Sequence, residues 1–443
     1  MNGPHPAAAS VVDVELSVSV PALHPRDGRQ AWLVVRLFTE PLGMVVLDVP
    51  ESGRTAEEVL EHITAELGTA VQERLSSAEL TVTGVTPAGT PAFLAGREAV
   101  LASAPDTTVV CCTRDRPDGL RTTLASLVDQ QYPAFKVLVV DSASADDRTR
   151  LVVEEFEHKL DIRYLRHHRP GLSRARNRAL FEVTTPVVAW IDDDATADRF
   201  WLAELARGFA TAAGTVAVSG VVVPRTLERR EQLWFEQFGG HSKGRGFTLD
   251  VFSPDTHARQ SPLYPLPPFG VGTNMAFRTA ALRDIGGFDE ALGAGTRTKG
   301  GEDTKAFTQI MRRGGTMVYQ PAAIVRHVHR PTLEALRAQL DGYGTGLTAY
   351  YFSLVLDRPS TLFSLLRLAP RALRDLRGPD SLRVSTIGAD FPEELLASNL
   401  RAMLRGPREY LAERRATGRP HELRLPRHPR RPRARPLSSG SPS

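Results

Sequence analysis

Cysteine is nearly absent from this 443-residue chain, and the two present, Cys111 and Cys112, are adjacent. Neighbours on a strand point to opposite faces, so the pair forms neither a disulfide framework nor a zinc site and reads as packing residues. Long apolar runs are missing too. No stretch approaches the ~18 to 20 residues that a membrane-spanning helix needs, and no basic region followed by an apolar segment opens the chain. Both absences point to a cytoplasmic protein that does not cross a membrane. Neither GxxxxGK[ST] nor GxGxxG follows a strand, so there is no glycine-rich loop to hold phosphates. Net charge is only +4, with much of the excess in the final stretch RLPRHPRRPRARPLSSGSPS. That stretch lacks interleaved aromatics, which argues against nucleic-acid recognition.

What is present divides along the chain. Residues 1–29 mix Ala, Pro and polar residues and read as a flexible leader with one short strand at VVDVELSVSV. Residues 30–104 read as a small α+β domain. AWLVVRLF and GMVVLDV are its strands, and Thr55-Ala-Glu-Glu58 is a capping-box signature opening a helix through Val59, Leu60, Ile63 and Leu67. It holds no cluster of catalytic residue types. Residues 105–330 alternate apolar β-rich runs (TTVVCCT, KVLVVD, IRYLRHH, PVVAWID) with helical stretches, the pattern of a largely parallel sheet with helices on both faces. Residues 331–412 are helical in character, and 413–443 are too rich in Arg, Pro and Ser to bury a core, which predicts disorder.

In such sheets ligands bind beyond the carboxyl ends of the strands. That rim receives Thr113-Arg114-Asp115-Arg116, Asp141-Ser142-Ala143-Ser144 and Asp192-Asp193-Asp194. Neighbouring ionised carboxylates repel by roughly 4 kcal/mol at ~4 Å and an effective dielectric near ~20, so three in a row answer to water or to a cation. A solvated acidic turn ending a buried strand is the plain reading; convergence of three polar clusters on one rim favours the cation. On a continuing strand, Asp192 and Asp194 share a face and Asp193 takes the other. Such a pair suits Mg²⁺ or Mn²⁺ with phosphate oxygens from a substrate.

The ordered segments TTVVCCTRDRPDGLRTTLASLVDQQYPAFKVLVVDSAS, GLSRARNRAL, AWIDDDA, GVGTNMAFRTAALRDIGGFDEAL and GGEDTKAF resemble an inverting glycosyltransferase of family 2. The resemblance covers about residues 105–330, in an actinobacterial-type arrangement with extra N- and C-terminal regions. It implies an α/β fold of GT-A type, Rossmann-like, and transfer of a sugar from a nucleotide sugar, UDP- or GDP-linked, to an acceptor hydroxyl of a glycan or lipid-linked glycan. It implies that Thr113, Asp115 and Arg116 cradle the nucleotide, that Asp141 bonds the base and that Arg176 stands near base and phosphates. Asp192 and Asp194 match an Asp-X-Asp motif, the first near the ribose or sugar and the second a direct ligand to Mn²⁺ or Mg²⁺. Asp303 matches the general base, with Glu302 orienting it or touching the acceptor; capping of the following helix is the alternative for Asp303. Where the family often has another acid, this chain has Lys305. Asn274 matches a position beside the donor sugar, or satisfies loop backbone. His327 matches a histidine that completes the metal site in some relatives, and His327 and His329 would share a strand face. Trp234, Phe235, Phe238 and Gly239-Gly240 bound the acceptor cleft or pack a core.

Two other readings compete. A nucleotidyltransferase would use a similar sheet, but the first strand's turn has no Gly-rich, Lys-containing loop for a triphosphate. A non-catalytic basic protein would use the C-terminal arginines, and LFSLLRLAPRALRDLR suits a peripheral position at an anionic membrane surface.

Overall fold

The structure, a computed structural model, describes residues 9–25, 28–77, 91–242, 245–257, 263, 269–377, 387–388 and 390–417. Strands β1 (Ala9–Glu15), β2 (Gln30–Leu37) and β3 (Glu40–Asp48) form a three-stranded sheet, β1 parallel to β2 and β2 antiparallel to β3, followed by helix α1 (Ala56–Ser77). β1 lies in the segment read as a leader. Its Val14 is buried with Leu33, Val35, Val45 and Ile63, so this strand is part of the unit's core. The turn residues Phe38 and Thr39 both have positive φ, 49° and 72°, a costly backbone for non-glycine residues. The Glu15 carboxylate offsets that cost by accepting both of their N–H groups at 2.8 Å. At the head of α1 the capping box closes: Glu58 N–H donates to Thr55 Oγ1 (3.2 Å) and Thr55 N–H donates to Glu58 Oε2 (2.7 Å).

Helix α2 (Ala95–Ala102) leads into the main sheet. Its elements are β4 (Thr107–Thr113), α3 (Pro117–Val128), β5 (Phe135–Ser142), α4 (Arg148–Glu154), β6 (Ile162–His167), α5 (Leu172–Glu182), β7 (Val187–Asp192), β8 (Ala195–Ala197) and α6 (Trp201–Thr211). They continue with β9 (Thr215–Pro224), α7 (Arg230–Gln237), β10 (Asp250–Phe252), α8 (Pro254–His257), β11 (Asn274–Arg278), α9 (Thr279–Asp284), α10 (Glu302–Arg312) and β12 (Thr316–His327). The strand order is β10-β12-β9-β11-β7-β4-β5-β6, with β8 paired to β12. β4, β5, β6, β7, β9 and β12 run one way; β8, β10 and β11 run the other. The sheet is therefore largely parallel, as its β-branched runs predict.

Strand alternation sorts the side chains into two cores. Val109, Cys111, Val139 and Ile191 pack on one face with Leu120 and Leu124 of α3 and Trp201 of α6. Val110, Val140 and Trp190 pack on the other with Ala175 and Ala179 of α5 and Phe307 of α10. Cys112 packs against that second core, so the adjacent cysteines do face opposite ways. The N-terminal unit is pinned to the sheet domain by Arg97–Glu204 (2.5 Å) and Arg36–Asp198 (2.6 Å).

Among the described residues, four helices follow: α11 (Leu333–Asp357), α12 (Thr361–Arg377), α13 (Glu393–Met403) and α14 (Gly406–Thr417). Thr332 caps α11, its side chain accepting Ala335 N–H at 3.3 Å. Helix α14 runs into the first residues of the segment expected to be disordered; residues 418–443 lie outside those described.

Candidate active site

β7 ends at Asp192, and the three carboxylates meet three environments. Asp193 is buried, accepting from Thr113 Oγ1 (2.7 Å) and Arg116 Nη1 (3.0 Å). Burial pushes its carboxyl up to about 6. Asp194 faces cations: His327 Nε2 at 2.9 Å, Arg116 Nη1 at 2.7 Å and Arg330 Nη2 at 3.7 Å. Burial opposes its ionisation, but these partners outweigh it and hold the carboxyl well below the usual carboxylate range. In return Asp194 overcomes the burial of His327 and raises its imidazole. The Asp192 side chain is 32% exposed, toward the cavity, and its Oδ1 lies 3.6 Å from Arg176 Nη2. Burial pushes this carboxyl up against the pull of Arg176.

Oxygens of Asp192 and Asp194 and a nitrogen of His327 lie within 4.8 Å of one another. Two hard carboxylates and one imidazole fit a divalent cation that keeps open positions for phosphate. The cavity beside them is also lined by Thr113, Arg114, Arg116, Ser142 and Arg330.

A second cavity adjoins the first and shares Asp192, His241, Lys299 and Tyr343 with it. Its floor is a polar lattice. Arg176 donates to Glu302 Oε1 (2.9 Å) and to the Gly272 carbonyl (3.0 Å). Asp303 accepts Gly272 N–H on Oδ2 (2.7 Å) and Thr304 N–H on Oδ1 (2.6 Å). Glu302 is buried, and burial with the neighbouring Asp303 charge raises its carboxyl against the pull of Arg176. A Cβ at Gly272 would crowd both partners of this lattice, standing 2.9 Å from Arg176 Nη2 and 3.2 Å from Asp303 Oδ2. Gly301 has φ +92°, and its missing Cβ would fall 2.8 Å from the Gly346 carbonyl of α11. Helix and loop thus meet backbone to backbone, and Tyr343, Leu347 and Tyr350 of α11 complete the wall.

Residues 108–286 match the family model described as Glycosyl transferase family 2. The chain carries a family 2 glycosyltransferase domain. A pre-mycofactocin glycosyltransferase of Mycobacterium tuberculosis is 32% identical over 243 residues, which cover 54% of this chain and 46% of that protein. The succinoglycan biosynthesis protein ExoM of Rhizobium meliloti is 31% identical over 229 residues, 50% of this chain and 66% of that one. The chain thus spans about half the length of the first relative. A mannosyltransferase of Pyrobaculum calidifontis, solved with GDP-Man and Mn²⁺, superposes with TM-score 0.42 at 20% identity, covering 74% of this chain and 85% of that one.

Around the two joined cavities the structure gathers Thr113, Arg116, Arg176, Asp192 and Asp194 from the matched segment, and Glu302, Asp303 and His327 from beyond it. It does not gather three others. Asp141 is fully buried, its oxygens accepting from Ser144 N–H (2.9 Å) and the Tyr164 hydroxyl (2.7 Å), so it holds the β5 loop from beneath. Asn274 is fully buried as well. Its amide donates to the Val221 and Ala323 carbonyls and accepts from Trp201 Nε1, each at 2.8 Å, and it lines neither cavity. Asp115 lies outside both cavity linings and links two loops by accepting Ala145 N–H at 2.8 Å.

Lys305, the departure from the family pattern, is buried and pairs with Asp289 (2.6 Å) and Asp357 (2.9 Å); it ties α10 to α11 and does not line the second cavity. The Gly-rich stretch before Glu302 is tied down internally, Thr296 Oγ1 donating to the Gly293 carbonyl (2.7 Å) and Thr298 Oγ1 to the Ala291 carbonyl (2.9 Å). Trp234, Phe235 and Phe238 pack with Leu336, Leu340 and Phe391, the core alternative. Sequence reasoning missed His241, Lys299, Arg330 and Tyr343. The one prior signal for His241 was the Gly239-Gly240 pair, which ends α7 and turns the chain back.

Proposed function

We propose that this protein is a metal-dependent inverting glycosyltransferase that moves a sugar from a UDP- or GDP-sugar to the hydroxyl of a glycan or lipid-linked glycan. The observation that carries this reading is the position of Asp192 at the junction of two cavities, one with Asp194 and His327, the other with Asp303. Asp192 and Asp194 would hold Mn²⁺ or Mg²⁺ with the donor's diphosphate, and His327, through Nε2, would steady Asp194 beside it. When bound, the ion supplies charge neutralisation for the departing nucleoside diphosphate. Arg116 and Arg176 fix these carboxylates and keep positive charge beside the phosphates. Asp303 takes the proton of the acceptor hydroxyl, its oxygens aimed by Gly272 N–H and Thr304 N–H, while Glu302 is locked to Arg176 and sets the start of α10.

Among the described residues, the acids lining the two cavities are Asp192, Asp193, Asp194, Glu302 and Asp303. One group serves the metal and one the acceptor, which leaves no separate nucleophile for double displacement. A single in-line attack follows, so an α-linked donor gives a β-linked product. Nucleotide-sugar binding with Mn²⁺ or Mg²⁺, and the anomeric coupling constant of the fresh product by NMR, test the reading. Undiminished donor binding in excess chelator removes the metal, and an α-product from an α-donor removes the inversion.

Among the described residues no helix is long and apolar enough to cross a membrane. Helix α12 instead exposes Leu362, Phe363 (69%) and Leu366 (59%) beside Arg367. A peripheral contact with anionic membrane follows from that face. Phe363→Asp abolishes co-sedimentation with phosphatidylserine vesicles if it is right; absence of sedimentation by the intact chain at low salt ends the idea.

A further inference from the structure

His241, His327 and His329 present three ring nitrogens within 4.8 Å of one another. Two of these imidazoles are already oriented by carboxylates. His327 Nε2 bonds Asp194 at 2.9 Å and His329 Nε2 bonds Glu236 at 2.5 Å. A carboxylate on Nε2 keeps the proton there and leaves the lone pair on Nδ1, the arrangement that supports imidazoles as metal ligands. Nδ1 of His327 and Nδ1 of His329 are both buried with no hydrogen-bond partner, which is costly in a polar atom without a purpose. Phe235 packs edge-on against His241 (5.0 Å between centroids) and His329 (4.7 Å), so an apolar ring backs the cluster. The turn that returns His241 needs Gly240, whose φ is +54° and whose Cβ would lie 2.6 Å from Glu236 Oε2.

We propose that His241, His327 and His329 form a second metal site, separate from the Asp192–Asp194 pair, for a borderline-soft transition ion of the Zn²⁺ class. Three neutral imidazoles suit such an ion, whereas Mg²⁺ and Mn²⁺ favour the oxygen-rich pair next door. The site joins the loop after α7 to the end of β12, and it fixes the His327 ring that touches Asp194. It is independent of whether the protein transfers sugars.

The test uses the full chain, stripped by chelator and supplied with Zn²⁺ or Co²⁺ in the absence of nucleotide. Wild type takes up one ion per chain, Co²⁺ gives the intense visible bands of four-coordinate cobalt, and Zn²⁺ raises the melting temperature. His329→Gln and, at the less buried position, His241→Gln each weaken uptake at least ~10-fold and abolish the thermal shift. Asp192→Asn leaves both unchanged, and His329→Gln keeps Mn²⁺-dependent nucleotide-sugar binding. Absence of uptake by wild type overturns the proposal. So does uptake that survives both histidine substitutions or disappears with Asp192→Asn.

Discussion

The two cavities meet at Asp192 but are built by different means. The first is made of side chains at the carboxyl ends of neighbouring strands, and its charges hold one another: Arg116 spans Asp193 and Asp194, and His327 and Arg330 close on Asp194. The second is made largely of backbone. Gly272, Gly300, Gly301 and Gly346 let chain segments touch, and peptide N–H groups aim its acid. On the proposed reading, the cavity that grips the donor's phosphates is built from paired charges, and the cavity that admits the acceptor hydroxyl is built more from close backbone approach.

That contrast breaks in a definite order of effect on transfer. Asp303→Asn is nearly isosteric and removes only the base, so turnover falls ~100-fold or more while donor affinity barely changes; wild-type turnover would reduce Asp303 to a helix cap. On the other side, Asp194→Ala weakens Mn²⁺-dependent donor binding by ~10-fold or more, since even loss of a metal's outer partner costs that much. Asp193→Ala is the control within the triplet. It orphans the Thr113 hydroxyl and costs about 1–3 kcal/mol of folding stability, with a smaller loss of donor affinity. Calorimetric titration and denaturant melts separate the two.

Gly346→Ala sharpens the comparison from the acceptor side, because the new Cβ would lie 2.9 Å from the Gly300 carbonyl carbon. The expected result is a raised acceptor KM with unchanged donor affinity, and a stability loss of about 1–3 kcal/mol. The smallest effect on transfer comes from Lys305→Met, which should cost ~3 kcal/mol of stability at neutral pH by stranding Asp289 and Asp357. Burial opposes the Asp289 charge, yet Lys305 and the Tyr410 hydroxyl outweigh it, so its folded carboxyl sits below the usual range. That contribution is present above the ordinary carboxylate pKa and lost as pH falls through the folded value. The gap between variant and wild type therefore narrows in acid melts.

The first cavity was legible because its signals are local. Each apolar run ends in its own polar cluster, and strand adjacency in an α/β sheet then brings Thr113 beside Asp193 without further information. The Thr55–Glu58 capping box was legible for the same reason. The burial of Asp141 and the choice between the two readings of Asn274 were not legible, because their partners lie further along the chain: Tyr164 for one, and Trp201, Val221 and Ala323 for the other. The α11 wall and His241 depend on tertiary approach, which no periodicity encodes. A trace existed in Gly342, Gly344 and Gly346, since each glycine costs a helix roughly 1 kcal/mol relative to Ala. Their reason is close approach to Lys299, Asn399 and Gly300.

The seam between α11 and the 299–301 loop has a consequence for descent. Its separation is set by peptide groups, so Leu347, only half-buried at the cavity wall, can change in bulk while the seam keeps its spacing, whereas buried Tyr350 is held by the Thr308 hydroxyl at 2.8 Å. Asp303 is anchored from the opposite direction, by Gly272 and Thr304, and does not feel that variation. If the second cavity receives the acceptor, as proposed, a lineage built this way can change which molecule it modifies by editing one position of one helix and leave Asp303 untouched.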